Sequence, residues 1–236
     1  MVGIILAAGC GTRFSEQGCC KPLLRVNGKP LIAYSLENLA ALRVREIVIV
    51  VGKYGDEIRA AVGGAFRGVP VRCVAQPKPL GIMNALFQAA ETVDDDAALQ
   101  LSDEIFIGLR ADAPGRFAEA DFLCGYTVPE NPRIICENFA IVCEGDRILH
   151  TVEKPREPVN EKKGTGFCVF SRDCFSLLRN KYTAASGAGD LCEFMNLLIA
   201  DGKKGIAVHV ADEEININDP DMLAYAEQRL ERAGHE

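Results

Sequence analysis

The first hundred residues alternate between two textures, and that alternation restricts the fold more than any other feature of the chain. "VGIILAA", "EIVIVV", "VPVRCVA" and "AALQLS" are short apolar runs of strand length, bounded by turn residues. Amphipathic segments lie between them at about residues 30–43, 54–62 and 81–92. Parallel strands need such crossovers, so the first half is expected to be a series of right-handed βαβ units around a parallel sheet. Pro30 falls at a first helical position, where its missing N–H costs nothing.

Past Asp103 the texture changes. "DFLCGYTV", "NFAIVCEG", "RILHTVEK" and "GTGFCVF" are strand-like with almost no helix between them, which predicts an antiparallel insertion on the sheet. Helices return at about 171–179 and 190–200, followed by the strand "GIAVHVA". The last helix is punctuated by Asp219 as N-cap and Pro220 at its first position. With no repeat, low-complexity tract or long linker, and 48% hydrophobic residues in a chain of 236, one compact domain over residues 1–236 is expected.

A formal charge of −7 leaves no basic footprint, so neither nucleic acid nor an anionic membrane surface is expected as the main partner. No apolar run approaches the ~20 residues of a membrane span, and the start lacks the pattern of a signal peptide. Ten cysteines are scattered without C-x-x-C pairs, most of them inside apolar runs, as small buried hydrophobes are. A cytoplasmic, reducing compartment follows. The adjacent Cys19 and Cys20 lie in a polar segment and read as ordinary loop thiols.

"LAAGCGTRF", residues 6–14, sets a glycine-spaced turn and an arginine directly behind the first strand. Such turns can aim backbone N–H groups at an anion. A dinucleotide fold is disfavoured, because Phe14 stands where the third glycine of G-x-G-x-x-G belongs and no clear ribose-binding acid follows the second strand. A P-loop is excluded by the absence of G-K-[ST]. What remains is G-x-G-T-R with a second cation, Lys21, shortly after it. The planar fork of arginine and the point charge of lysine suit a polyphosphate that sheds charge as it reacts. On the residues alone, an ordinary turn with solvated charges stays open.

Followed by "CKPLLRVNGKPLIAYSLENL", the opening motif resembles the signature of the nucleotidyltransferases that make nucleoside diphosphate sugars, the nucleotide-sugar pyrophosphorylases, whose compact relatives include cytidylyltransferases. "QPKPLGIMNAL", "LSDEIFIG", "VEKP", "GTGFCVF" and "ININDPDML" follow in the family's order, from about Val2 to Leu230. The resemblance implies a Rossmann-like α/β fold of the GT-A type: a mixed, mainly parallel sheet flanked by helices, with a small antiparallel insertion on the acceptor side. Residues 1–103 would form the nucleotide-binding part, and 104–236 the acceptor-binding part and the return to the sheet.

The implied reaction transfers a nucleoside monophosphate from an NTP, a pyrimidine being favoured, to a sugar 1-phosphate, with release of pyrophosphate. Phosphocholine, another alcohol phosphate or a phosphonate is the alternative acceptor, and a catalytically silent nucleotide-binding subunit is a minor one. A homo-oligomer is left open. A phosphomonoester is already anionic near neutrality, so no general base is demanded; positioning and charge neutralisation carry the rate.

By the same resemblance, Leu6, Ala7, Ala8, Gly9, Gly11 and Thr12 form the nucleotide turn, and Arg13 and Lys21 grip the triphosphate. Asp103, at the carboxyl end of a parallel strand, is the expected Mg²⁺ ligand, with Asn216 or Asn218 as the second in place of the more usual aspartate. Gln76 and Gly81 match positions that read the base. Lys154 would bind the acceptor phosphate and Glu153 a sugar hydroxyl; Gly166 would let the acceptor approach the backbone, and Asn138 and Glu193 are further acceptor-side candidates. Ser102 stands where glycine is usual, and Glu104 adds an acid beside the metal position.

Overall fold

The computed structural model describes residues 1–9, 20–110, 113–182 and 189–233. In its first half, β1 (Val2–Ala7), the short pair β2 (Arg25–Val26) and β3 (Lys29–Pro30), and α1 (Leu31–Ala41) lead to β4 (Ile47–Val51). Then come α2 (Gly55–Val62), β5 (Ala65–Phe66), β6 (Val69–Ala75), α3 (Gly81–Ala90) and β7 (Ala97–Leu101). The second half holds β8 (Glu104–Ile107), β9 (Phe122–Thr127), β10 (Phe139–Glu144), β11 (Arg147–Glu153) and β12 (Lys163–Phe170). It closes with α4 (Arg172–Lys181), α5 (Leu191–Ala200), β13 (Gly205–His209), β14 (Glu213–Asn216) and α6 (Pro220–Ala233).

Ten strands form one sheet in the order β10-β11-β13-β9-β12-β7-β1-β4-β6-β5. β7, β1, β4 and β6 run parallel, as the alternating texture of the first hundred residues implies. β12 is antiparallel to both β7 and β9 and joins the parallel half to the rest. Strands β9 to β13 thus extend the same sheet. Every residue of β1 and β4 is buried, which explains their unbroken apolar runs.

Period-two alternation divides the core between the two faces. Leu6 and Ala8 pack with Met83 and Leu86 of α3, Phe175 of α4 and Phe194 of α5, whereas Ile5 and Ala7 pack with Ile32, Leu36 and Leu39 of α1 and with Ile58 of α2. Helix α1 starts at Leu31, with Pro30 at the cap position in β3, one residue earlier than its expected place. At α6 the punctuation is as read: Met222 N–H donates to Asp219 Oδ1 at 2.9 Å, and Pro220 opens the helix.

The β8 and β14 strands were not apparent in the sequence. They pair antiparallel as a separate two-stranded ribbon, Glu104 opposite Asn216 and Ile107 opposite Glu213. Ile105 and Ile215 of the ribbon pack with Ile217, with Leu31 of α1 and with Ala226 of α6 in a third, smaller core.

Phe170 joins the layers of the main core. Fully buried, its ring lies 5.0 Å from Phe194 and 6.0 Å from both Phe122 and Phe175. Phe170→Ala is expected to lower the unfolding free energy by about 3–5 kcal/mol, through lost burial and the cavity left behind. Urea titration checks this, with a fall in midpoint at unchanged slope as the expected result.

Candidate active site

The carboxyl ends of the parallel strands open onto a cleft of about 1710 Å³. Ala8 and Gly9 after β1, Gln76 after β6, and Ser102 and Asp103 after β7 all line it. Parallel strands that end at one edge bring such residues together although they are far apart in sequence. Of the residues expected at the site, Leu6, Lys21, Gly81, Asn138, Lys154, Asn216 and Asn218 also line the cleft. Gly11, Thr12 and Arg13 lie outside the described residues.

Lys21 stands at the centre. It begins a short 3-10 turn, Lys21–Leu23, and its side chain is only 13% exposed. Nζ donates to Asp103 Oδ2 at 2.6 Å and to Asn218 Oδ1 at 3.3 Å. The ribbon brings these partners within reach, because Ile217 N–H donates to the Asp103 carbonyl at 2.9 Å and continues the β8–β14 pairing. One ammonium thus joins three segments separated by 82 and 197 positions.

The oxygens at this end of the cleft are of a kind that suits a hard divalent cation. Asp103 supplies a carboxylate, Asn218 an amide oxygen, and Asn216 Oδ1 is buried with no hydrogen-bond partner among the described residues, which leaves an oxygen open to a cation or a donor. Among the described residues, one other group of ligand-type side chains comes close: Glu153, Asp190 and Cys192, with ligand atoms within 4.8 Å of one another. There Glu153 is held above the ordinary carboxylate range, first by burial and then by the Asp190 charge.

Gln76 is oriented by its neighbours. Its Nε2 donates to the Gly81 carbonyl at 3.0 Å and to Asn84 Oδ1 at 2.9 Å. A carbonyl can only accept, so the amide nitrogen must face Gly81, which leaves Oε1 as the group Gln76 can offer a ligand. Gly81 has φ +82°, a conformation that suits glycine, and forms a bridge to Gly189.

On the side expected to take the acceptor, Lys154 follows β11 with φ +42°, a left-handed conformation that an L residue adopts at a cost. Its N–H donates to the Asn138 carbonyl at 2.7 Å, and its exposed ammonium lies 3.6 Å from Glu153. The Asn138 side chain donates to the Ile134 carbonyl at 2.9 Å.

Two expected acceptor residues have structural work. Gly166 is buried in β12, and a Cβ there would lie 2.4 Å from Leu101 Cγ and 2.7 Å from Glu104 Oε2, so its missing side chain makes room for Glu104. Glu193 completes a capping box at the start of α5: its N–H donates to Asp190 Oδ1 at 2.8 Å and its carboxylate accepts from Asp190 N–H at 3.3 Å. Ala7 points its side chain into the core on the face opposite Leu6 and Ala8.

Sequence reasoning missed the buried charges beneath the cleft. Lys163, the first residue of β12, pairs with Glu214 Oε2 and donates to the Glu214 carbonyl at 2.9 Å; the side chains are 4% and 1% exposed. Both residues line the cleft. The signals available were a lysine directly before an apolar strand and a Glu-Glu pair before "IN". Glu104 is buried too, and its two oxygens accept from Gly166 N–H at 2.9 and 3.0 Å. Burial, then the Glu214 and Asp103 charges, push Glu104 well above the ordinary glutamate range.

The comparisons with known proteins agree with this geometry. Residues 2–213 match the model of the nucleotidyl transferase family, so the chain belongs to that family. A UTP–glucose-1-phosphate uridylyltransferase of Haloferax volcanii is 28% identical over 98% of this chain and 97% of its own length. A glucose-1-phosphate thymidylyltransferase of Streptomyces griseus is 33% identical over 72% of this chain, a match that spans about half (49%) of that enzyme. Among solved structures, the inositol-1-phosphate CTP transferase of T. maritima superposes with a TM-score of 0.81 at 20% identity, covering 98% of this chain and 95% of its own. A UDP-glucose pyrophosphorylase complexed with UDP-glucose gives 0.82 at 17% identity, covering 98% of each chain. The protein is therefore a nucleotidyltransferase with the α/β fold of that family.

The buried acid makes a pH prediction. With the Glu104 pKa raised by folding, ionisation costs nothing extra below the unfolded value of ~4.3, and the folded state loses relative stability as pH rises from there towards the folded value. Glu104→Gln removes this proton linkage. Urea unfolding between about pH 4.5 and pH 8 should show the variant gaining stability relative to wild type as pH rises. A constant difference across that range would contradict the assignment.

Proposed function

We propose that the protein is an Mg²⁺-dependent transferase that moves a nucleoside monophosphate from an NTP to a sugar 1-phosphate. The observation that carries the reading is the convergence of Lys21, Asp103 and Asn218 at the edge of the parallel strands, in the fold of the nucleotidyl transferase family. An anionic oxygen of the acceptor phosphate attacks the α-phosphorus of the NTP. The bond from that phosphorus to the β-phosphate oxygen breaks, and pyrophosphate leaves with the electron pair.

Lys21, joined by Arg13, offsets the charge that gathers on the leaving group. Asp103, Asn216 and Asn218 would hold Mg²⁺, which when bound neutralises phosphate oxygens as a Lewis acid. Lys154 draws in the acceptor phosphate. Gln76 Oε1 accepts from an N–H donor on the base edge, a contact that uracil, thymine and cytosine can each supply. The near full-length match to the Haloferax volcanii uridylyltransferase supports a sugar 1-phosphate and a pyrimidine NTP.

The second reading is the same chemistry on a non-sugar acceptor. It is favoured by the T. maritima fold match and by a CMP-5'-(3-aminopropyl)phosphonate synthase of Streptomyces rubellomurinus, 36% identical over 107 residues, which are 44% of this chain and 17% of that protein. Among the described residues lining the cleft, Tyr225 is the one aromatic, and its hydroxyl donates to Glu213 at 2.6 Å. That wall offers no aromatic cage for a quaternary ammonium.

Pyrophosphate release from a matrix of NTPs against phosphate and phosphonate acceptors tests both readings. Turnover of a sugar 1-phosphate with a pyrimidine NTP is expected, and inert sugar 1-phosphates beside a reactive alcohol phosphate or phosphonate would transfer the conclusion to the second reading. Lys21→Ala and Asp103→Ala should each lower kcat by about 10²–10³-fold. Full activity in either variant would remove the reading altogether.

A further inference from the structure

We infer that the β8–β14 ribbon is a separately mounted platform for the Asp103 and Asn216 oxygens, and that Glu104 and the Lys163–Glu214 pair are positioning residues that fix it against β12. The inference rests on the reading of those oxygens as the Mg²⁺ site. Among the described residues, β8 and β14 pair with each other and with no strand of the ten-stranded sheet. Within the same residues, main-chain bonds reach the sheet only beyond the two ends of β8, where Ser102 N–H donates to the Leu6 carbonyl at 3.2 Å and Arg110 N–H to the Val210 carbonyl at 2.8 Å, so backbone pairing does not fix the body of the ribbon on the sheet.

Side chains do. The Glu104 carboxylate straddles Gly166 N–H of β12, and Lys163 of β12 donates to the Glu214 carbonyl while its ammonium pairs with the Glu214 carboxylate. By strand period and cross-strand register, Glu104, Glu214 and Asn216 share one face of the ribbon. The first two are anchored to β12; the third is left with its unpartnered Oδ1 at the ribbon's end. Each anchor is also close in sequence to a cleft oxygen, for Glu104 follows Asp103 and Glu214 lies two residues before Asn216.

The apolar contacts of the ribbon, such as Phe106 on Phe167, are weakly directional and tolerate sliding. Hydrogen bonds are directional and fix an interatomic distance, and the Lys163–Glu214 contact adds charge to that. A buried ion pair adds little net stability over apolar residues of similar volume, because desolvation offsets the attraction. A lysine and a glutamate buried under a phosphate-transfer cleft are thus accounted for by placement, and stability does not require them.

The test uses the full chain with Lys163 and Glu214 both replaced by Met, and separately with Glu104→Leu. Mn²⁺ binding in the presence of a non-hydrolysable NTP analogue is read by electron paramagnetic resonance, beside the thermal midpoint and the Mg²⁺ concentration giving half-maximal rate. The double variant is expected to keep its thermal midpoint within a few degrees. In both variants Mn²⁺ affinity should fall, and the Mg²⁺ requirement rise, by about 10–100-fold; the KM for NTP at saturating metal should hold within about threefold. A folded variant that binds Mn²⁺ as wild type does overturns the inference, and so does a double variant that fails to fold, since the pair would then carry stability. Wild-type protein that binds no Mn²⁺ with the analogue would instead sink the proposed function, and the platform with it.

Discussion

A single ammonium group holds the candidate site together. Lys21 reaches Asp103 at 2.6 Å and Asn218 at 3.3 Å, and in doing so ties the segment after β1, the end of β7 and the end of β14 to one point. Without a cation there, the Asp103 carboxylate and the Asn218 amide oxygen would lose the donor they share. In the proposed reaction the same groups change partners: the carboxylate turns to metal and the ammonium to phosphate. The ion pair keeps both halves of that exchange in place while the site waits.

The sheet makes this meeting possible. Parallel strands start and stop in register, so the ends of β1, β6 and β7 deliver backbone and side chains to one edge without any long loop. Antiparallel β12 then carries the wall across to the acceptor side, where Lys154 is held in a left-handed conformation by the Asn138 carbonyl. The ribbon fills the remaining side, packed on α1 and α6 by its isoleucines and fixed to β12 by buried hydrogen bonds.

Much of this was legible in the sequence. Unbroken apolar runs such as "EIVIVV" require strands covered on both faces, and Asp219-Pro220 announces a helix start from local chemistry alone. Lys21 and Asp103 could be singled out because their residue types and places fit a phosphate site. What could not be read depends on contacts between distant segments. Glu104 reads as an extra acid beside the metal position, and only β12 laid beside it shows that it is buried on Gly166 N–H, in the space that the missing Gly166 side chain leaves. Glu193 completes a capping box with a partner three positions away, a local signal that the sequence carried and that went unread. The ribbon itself is two short strands of mixed polarity, too brief for periodicity to show.

The central claim is that Lys21, Asp103 and the asparagines of the ribbon act on one triphosphate. A crystal structure with Mg²⁺ and a non-hydrolysable NTP tests it most directly. The account predicts the triphosphate at the edge of β1, with Lys21 on its oxygens and Asp103 turned to the metal. A nucleotide lodged elsewhere, with Lys21 still closed on Asp103, would contradict it.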